Sequence, residues 1–114
     1  MTSQIGCVFC KIIARTIPAS IIEETDTTIV IKDIAPKAPI HYLIIPKKHI
    51  ESVKALGNDD ATVANDLFIM AAHLSTKLSG SQSFRLISNN GSDAGQSVFH
   101  LHLHFLSGKQ MLDF

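Results

Sequence analysis

Long apolar runs and an excess of either charge are missing from this sequence of 114 residues. Ten Lys and Arg balance ten Asp and Glu, which gives a formal net charge of zero at pH 7. Proteins that bind nucleic acid or an anionic membrane through charge alone need a basic excess, so both classes are disfavoured. No segment reaches the roughly 18 consecutive apolar residues of a membrane-spanning helix, so none is predicted. Zero net charge also removes a barrier to self-association.

Cysteine is scarce as well, with only Cys7 and Cys10 in the chain. Residues 1–15 lack the basic start and the roughly 7–15-residue apolar segment of a secretory signal. The expected location is therefore the cytoplasm, where the two cysteines are expected as thiols or metal ligands rather than as a disulfide.

The overall composition is that of a globular protein. Hydrophobic residues make up 46% of the chain and charged residues 18%, which argues against disorder. At about 100–200 residues per domain, residues 1–114 are expected to form one domain. A chain of this length can bury a core without disulfides.

The spacing of apolar residues predicts two helices and five strands. Behind the N-capping residues 58–60, apolar side chains recur at steps of three and four over residues 63–78, and Gly80 ends the predicted long helix. A short helix is predicted over residues 8–14. The predicted strands are residues 21–24, 28–33, 40–45, 84–89 and 97–106. This order favours the α+β class, with an antiparallel sheet of about five strands and one long and one short helix.

The most informative segment is residues 98–105, where histidines alternate with apolar residues. Side chains on a strand point alternately to its two faces. The apolar face is therefore expected to pack under the long helix, and the histidine face to line an at least partly open surface. The apolar set is Phe99, Leu101, Leu103 and Phe105, and the histidine set is His100, His102 and His104.

Three interpretations of the histidine row are open at this point. A single metal held by all three is disfavoured, because His100 and His104 would lie about 13 Å apart on an extended strand. A solvated polar face is the second interpretation. The third is catalysis, since neutral imidazole, with an ordinary pKa of about 6.5, is a nucleophile at pH 7 and can attack phosphorus.

The loop over residues 89–97 favours the catalytic interpretation. Gly91 and Gly95 allow the backbone to approach an anion closely, and Asn89 and Ser97 offer side-chain donors. Such a loop alone is equally typical of an ordinary connection. Beside a histidine row it predicts a phosphate site.

Six segments together resemble the histidine triad superfamily, and specifically its Hint-like, nucleotide-binding branch. They are CKII (10–13), IPA (17–19), DIAP (33–36), HYLIIPKKHI (41–50), NNGSDAGQS (89–97) and SVFHLHLHFL (97–106). The resemblance implies an antiparallel sheet with helices, a homodimer with a continuous sheet, and hydrolysis that releases a nucleoside monophosphate. A related transferase branch has His-Pro-His where this chain has His102-Leu103-His104, so hydrolysis is favoured over transfer to a sugar phosphate.

The resemblance also implies a role for individual residues. His102 would be the nucleophile on the α-phosphate, His104 would contact the phosphate, His41 would support the histidine row and Ser97 would lie near the leaving group. Asp33 would bind the ribose hydroxyls. The implied nucleotide-binding set is Phe9, Ile12, Asp33, Ile34, Leu43, Asn89, Gly95, Gln96, Ser97, Val98, His102 and His104.

The Cys7-x-x-Cys10 spacing suits two ligands of one tetrahedral metal ion, but it is equally compatible with free thiols or a redox pair. The resemblance completes a metal site with His49 and His100. The ion would be structural zinc, and His102 would remain free as the nucleophile.

The leading functional hypothesis is a purine nucleoside phosphoramidase, which splits the P–N bond between AMP and an amine. The alternative enzyme is a dinucleoside polyphosphate hydrolase. A non-catalytic, nucleotide-binding regulatory module is the hypothesis from another class. Substitution of His102 discriminates the enzymes from the module.

Overall fold

A computed structural model describes residues 6–113 of the chain. Two α-helices and five strands occur in this part, joined by turns and three short 3₁₀ segments. Their bounds are α1 Val8–Ile13, β1 Ile21–Glu24, β2 Thr28–Lys32, β3 Ile40–Pro46, α2 Ala61–Ser75, β4 Phe84–Ile87 and β5 Leu103–Ser107. The strands form one antiparallel sheet in the order β1-β2-β3-β5-β4. The α+β class, with one long and one short helix, is thereby confirmed.

Strands β2 and β3 bury side chains on both faces of the sheet. Val30 of β2 and Ile44 of β3 belong to the core beneath α2, together with Leu103 and Phe105 of β5. The alternate residues of β2 and β3 pack on the opposite face, against α1. That second, smaller core consists of Phe9, Ile12, Ile29, Ile31, Leu43 and Ile45. The sheet therefore separates a closed face under α2 from a face that α1 covers only at one end.

The long helix presents Leu67, Met70, Ala71 and Leu74 to the sheet. It ends at Ser75, which is earlier than the apolar pattern predicts, and Leu78 joins the core from the following turn. Gly80 lies beyond that turn with a φ of +71°, in the left-handed region that favours glycine. No helix of residues 6–113 has the length and apolar character needed to cross a membrane.

The last strand is shorter than predicted, and this corrects the expected alternation. Residues 98–100 bend, and the strand begins only at Leu103. The amide of Leu101 donates to the carbonyl of Ile50 at 2.6 Å, which turns the chain away from a straight path. Phe99 is consequently 42% exposed instead of packed under α2, whereas Leu101 is buried in that core.

Candidate functional site

A cavity of about 910 Å³ opens on the face of the sheet away from α2. Its walls come from α1, β2, β3, β5 and the loop over residues 89–97. Ligand cavities of proteins commonly have volumes of about 300–1,000 Å³. The predicted site residues that line it are Phe9, Ile12, Asp33, Ile34, His41, Leu43, Asn89, Gly95, Ser97, Val98, His102 and His104.

The ring of His102 is held by its Nδ1 atom. Nδ1–H donates to the carbonyl of His100 at 2.8 Å, and a carbonyl can only accept, so the proton of the neutral ring is on Nδ1. The lone pair is then on Nε2. Burial lowers the pKa of His102, against the opposing effects of the His100 carbonyl and the Asp33 carboxylate. The Phe9 ring packs edge-on at 5.1 Å between ring centroids. His102 thus combines a fixed orientation with an unprotonated nitrogen.

A second arrangement of hydrogen bonds fixes the ring of His104. The amide of Lys37 donates to Nδ1 of His41 at 3.1 Å, so neutral His41 carries its proton on Nε2. That Nε2–H donates to Nδ1 of His104 at 2.8 Å, with Asp33 Oδ2 at 3.3 Å from His41 Nε2. His104 accepts on Nδ1 and therefore carries its proton on Nε2. Burial lowers the pKa of His41, and burial together with the neighbouring histidines lowers the pKa of His104 to about 4.

Asp33, His41 and His104 lie close enough to suggest a metal site, but the hydrogen bonds of the two histidine rings argue against one. Their nearest ligand atoms are all within 4.8 Å of one another. His41 Nδ1 already accepts from the Lys37 amide, so a metal on Nε2 would need a ring that has lost both protons. The group is better described as a hydrogen-bonded network that presents a neutral N–H donor.

The glycine loop forms the remaining wall of the cavity. Gly91 and Gly95 have φ angles of +96° and +93°, which residues with a Cβ rarely adopt. A Cβ on Gly95 would lie 4.0 Å from Asn89 Nδ2, so the amide side chain lies beside this glycine.

Gln96 does not line the cavity as the predicted nucleotide-binding set implies. Its buried Oε1 accepts from the Gly91 amide at 2.8 Å, and its Nε2 donates to the carbonyls of Glu51 and Val98. Gln96 therefore supports the loop from the side away from the cavity. Its partners are main-chain groups, which need hydrogen-bond partners when buried but leave no motif in the sequence.

The four predicted metal ligands lie together beyond His102, at the N-terminus of α1. Cys7 Sγ is 3.3 Å from His100 Nδ1, Cys10 Sγ is 3.3 Å from His49 Nδ1, and the two Nδ1 atoms are 3.1 Å apart. His100 Nε2–H donates to the Pro46 carbonyl at 2.8 Å, which leaves Nδ1 as the basic nitrogen. Ligating histidines typically have their other nitrogen held in this way. The cluster is therefore suited to hold a metal ion.

The comparisons with known proteins agree with this arrangement. The family described as "Scavenger mRNA decapping enzyme C-term binding" matches residues 6–114. An uncharacterized HIT-like protein of Synechocystis is 43% identical over 102 residues, which cover 90% of each chain. The chain belongs to the histidine triad (HIT) superfamily. The three histidines of the triad and the glycine loop all fall within the matched residues.

Solved HIT structures share the fold of this chain over nearly its whole length. A HIT family hydrolase of Clostridium thermocellum has a TM-score of 0.92 at 44% identity, with 98% of each chain covered. A HIT family hydrolase of Legionella pneumophila has a TM-score of 0.90 at 40% identity, with 94% of this chain and 96% of that chain covered.

Several wall residues of this HIT chain escape prediction as site residues. Ile17, Pro18 and Ala19 lie between α1 and β1 and line the cavity, as does Ile87 at the end of β4. Residues 17–19 belong to a segment that resembles the family, but neither that segment nor the apolarity of Ile87 marks these side chains as cavity-lining. The Lys37 amide and the Pro46 carbonyl, which set histidine protonation, are main-chain groups and leave no sequence signal at all.

Proposed function

We propose that this chain hydrolyses the P–N bond of purine nucleoside 5′-phosphoramidates, with His102 as the nucleophile. The observation that carries the proposal is the pair of complementary nitrogens on the cavity wall. His102 offers a lone pair on Nε2, and His104 offers a proton on Nε2. One can attack phosphorus while the other donates to a phosphate oxygen, where negative charge develops.

In the proposed reaction the Nε2 lone pair of His102 forms a bond to phosphorus, and the bond from phosphorus to the amine nitrogen breaks. The amine keeps the electron pair of that bond and takes up one proton, while the nucleotidyl group stays on His102. Water then attacks phosphorus, the ring of His102 leaves, and one proton returns to solvent. The products are a nucleoside monophosphate and a free amine.

The remaining lining residues suit the parts of a nucleotide. Phe9, Ile12 and Leu43 form an apolar wall for the base, with Ile34 at the rim. Asp33, a carboxylate on the same wall, accepts hydrogen bonds as ribose hydroxyls require. Asn89, Gly95, Val98 and Ser97 surround the proposed phosphate position, and Ser97 would lie on the side of the leaving group.

Zinc is the metal that the Cys–His cluster fits best. Two thiolates and two imidazoles form closed tetrahedral sites, with Zn–S of about 2.3 Å and Zn–N of about 2.0–2.1 Å. These bonds place sulfur and nitrogen about 3.6 Å apart, and the Cys–His distances here are 3.3 to 3.5 Å. With all four positions filled by Cys7, Cys10, His49 and His100, the metal would join α1 to the sheet and would not generate hydroxide.

A second copy of the chain is the proposed protein partner. Phe68 and Ile69 on α2 are 61% and 59% exposed, and β4 forms one edge of the sheet. Pairing of β4 edges between two copies would extend the sheet and bring these side chains to an interface. Sedimentation of the wild type beside a Phe68→Glu variant tests this, since a monomer in both would contradict the homodimer.

Trapping the intermediate tests the catalytic proposal. Protein mixed with an adenosine 5′-phosphoramidate of a primary amine and quenched in alkali is expected to carry one adenylyl group, which peptide mapping places on His102.

Turnover of the amidate and of a diadenosine polyphosphate, measured side by side, separates the phosphoramidase from the alternative hydrolase. His102→Ala should abolish both adduct and turnover. His73 lies on the exposed face of α2, so His73→Ala is the matched control and should retain both. Turnover that survives in His102→Ala contradicts the proposal, and a wild type without turnover or adduct supports a non-catalytic module.

A further inference from the structure

A second cavity of about 430 Å³ adjoins the first at Ser97. Val8, Ser97 and Val98 line both cavities, so the two share one wall. Ser97 lies on the leaving-group side in the proposed function. The amine that leaves phosphorus on the side of Ser97 therefore lies next to the second cavity.

Glu51 is the one carboxylate in the wall of the second cavity, which also contains Cys7 and His49 of the Cys–His cluster. None of the residues that line this cavity is a lysine or arginine. Among the glutamates of residues 6–113, Glu23 and Glu24 form ion pairs with basic side chains, whereas Glu51 forms none. Two lysines, Lys48 and Lys54, are each three residues from it in the sequence; Lys48 is paired with Asp60, and no ion pair joins Lys54 to Glu51. Glu51 is thus available to a cation that enters the cavity.

Phe99 supplies an exposed aromatic ring in the same cavity. The bend over residues 98–100 removes this ring from the core, where a straight strand would have buried it. The ring stacks on no other aromatic side chain of the described residues. The face of an aromatic ring attracts an ammonium group, and a carboxylate nearby strengthens that attraction.

We propose that this second cavity is the subsite for the leaving amine and that it selects amines carrying a further positive charge. The inference rests on the proposed function and specifies its substrate class. Glu51 attracts the distant ammonium group, Phe99 packs against it, and Ser97 lies between this subsite and the phosphate. The preferred substrates are nucleotidyl amidates of diamines.

Three adenosine 5′-phosphoramidates of similar length test the inference. Their amines are 1,5-diaminopentane, n-hexylamine and 6-aminohexanoate, so the distant end is positive, neutral or negative while the reacting nitrogen is a primary alkylamine in each. At low ionic strength kcat/KM is expected to be about tenfold higher for the positive than for the neutral amidate, and lowest for the negative one.

Variants of the subsite should change this order. Glu51→Gln keeps the shape of the side chain and should reduce the positive-to-neutral ratio of kcat/KM to about twofold or less. Glu51→Lys should favour the negative amidate, and Phe99→Leu should lower the ratio by a smaller factor. Asp26→Asn, in the exposed turn between β1 and β2, is the matched control and should leave activity and ratio unchanged.

The outcomes separate this inference from the function on which it rests. Hydrolysis of all three amidates with equal kcat/KM, or a preference that Glu51→Gln and Glu51→Lys leave intact, overturns the subsite alone. Failure of the wild type to hydrolyse or to be adenylylated by any of the three overturns both. A positive preference that disappears in Glu51→Gln and persists in Asp26→Asn supports the subsite.

Discussion

His100 and His102 are separated by a single residue, yet they belong to two different sites. The carbonyl of Pro46 holds Nε2 of His100, so its Nδ1 faces two cysteines and His49. The carbonyl of His100 holds Nδ1 of His102, so its Nε2 is the basic nitrogen at the large cavity. The two identical side chains thus present different basic nitrogens, Nδ1 to the Cys–His cluster and Nε2 to the cavity, because main-chain carbonyls accept from the opposite ring nitrogens.

The surroundings of the Cys–His cluster and of the His102–His104 pair also differ. The Cys–His cluster has the four side chains that fill a tetrahedral site, so a metal held there would have no position left for a reacting group. The His102–His104 pair borders a cavity large enough for a nucleotide. We therefore expect changes in the first group to affect metal content and stability, and changes in the second to affect turnover.

The largest difference between the effect on turnover and the effect on metal content is expected for His102→Ala. Loss of the nucleophile should reduce kcat for the amidate by at least about 10³-fold, since no other group replaces a covalent nucleophile. Metal content and melting temperature should stay close to those of the wild type. Steady-state kinetics and metal analysis on the same samples check this. Loss of metal together with activity would contradict the division into two independent sites.

The converse change is Cys7→Ala. Wild-type protein is expected to hold one zinc per chain and the variant none, with a fall of about 2–5 kcal/mol in the free energy of unfolding. Elemental analysis of protein purified without chelator, followed by urea unfolding, measures both quantities. Wild-type protein that is as free of metal as the variant would end the zinc proposal.

A change in the supporting network should have an intermediate effect. His41→Asn removes the Nε2–H that fixes the proton of His104, so kcat is expected to fall about 10²-fold while the metal remains bound. The adenylyl adduct on His102 should still form, because the nucleophile is intact. A variant with unchanged kcat would show that His41 does not control His104.

Acid should destabilise the fold through His104. Its pKa is lowered to about 4 in the folded chain from an ordinary 6.5, so between these values the unfolded chain binds more protons. The stability from neutral His104 is present above about pH 6.5 and is lost as the pH falls towards 4. Urea unfolding across this range should give a shallower pH dependence for His104→Asn than for the wild type, and equal slopes would refute the assignment.

The smallest effect is expected for Ser97→Ala. Ser97 is exposed at the wall shared by both cavities and would contact only the leaving group, so a decrease of about tenfold in kcat/KM is expected. An amidate with a better leaving group should be affected less. An equal decrease for good and poor leaving groups would place Ser97 elsewhere in the reaction.

Much of the fold follows from local patterns. Apolar spacing, β-branched runs and turn residues predict both α-helices and all five strands of residues 6–113, and β1 is predicted with its observed bounds. One error lies where a long-range hydrogen bond overrides these patterns, and the other where the long helix ends in local turns. Leu101 bonds to Ile50, which shortens β5 and exposes Phe99, and the long helix stops at Ser75 although its apolar stripe continues to Leu78.

The amino-acid sequence by itself determined the sheet, the two helices, the residues of the histidine row and the family to which the chain belongs, because periodicity and ordered motifs are local properties. Only the tertiary structure decided which ring nitrogen of each histidine is free, that Gln96 supports the loop from behind, and that Glu51 and Phe99 border a cavity beside Ser97. These features depend on main-chain carbonyls and amides from distant segments, and such groups are the same in every residue except proline. Their positions are therefore set by the packing of the whole domain.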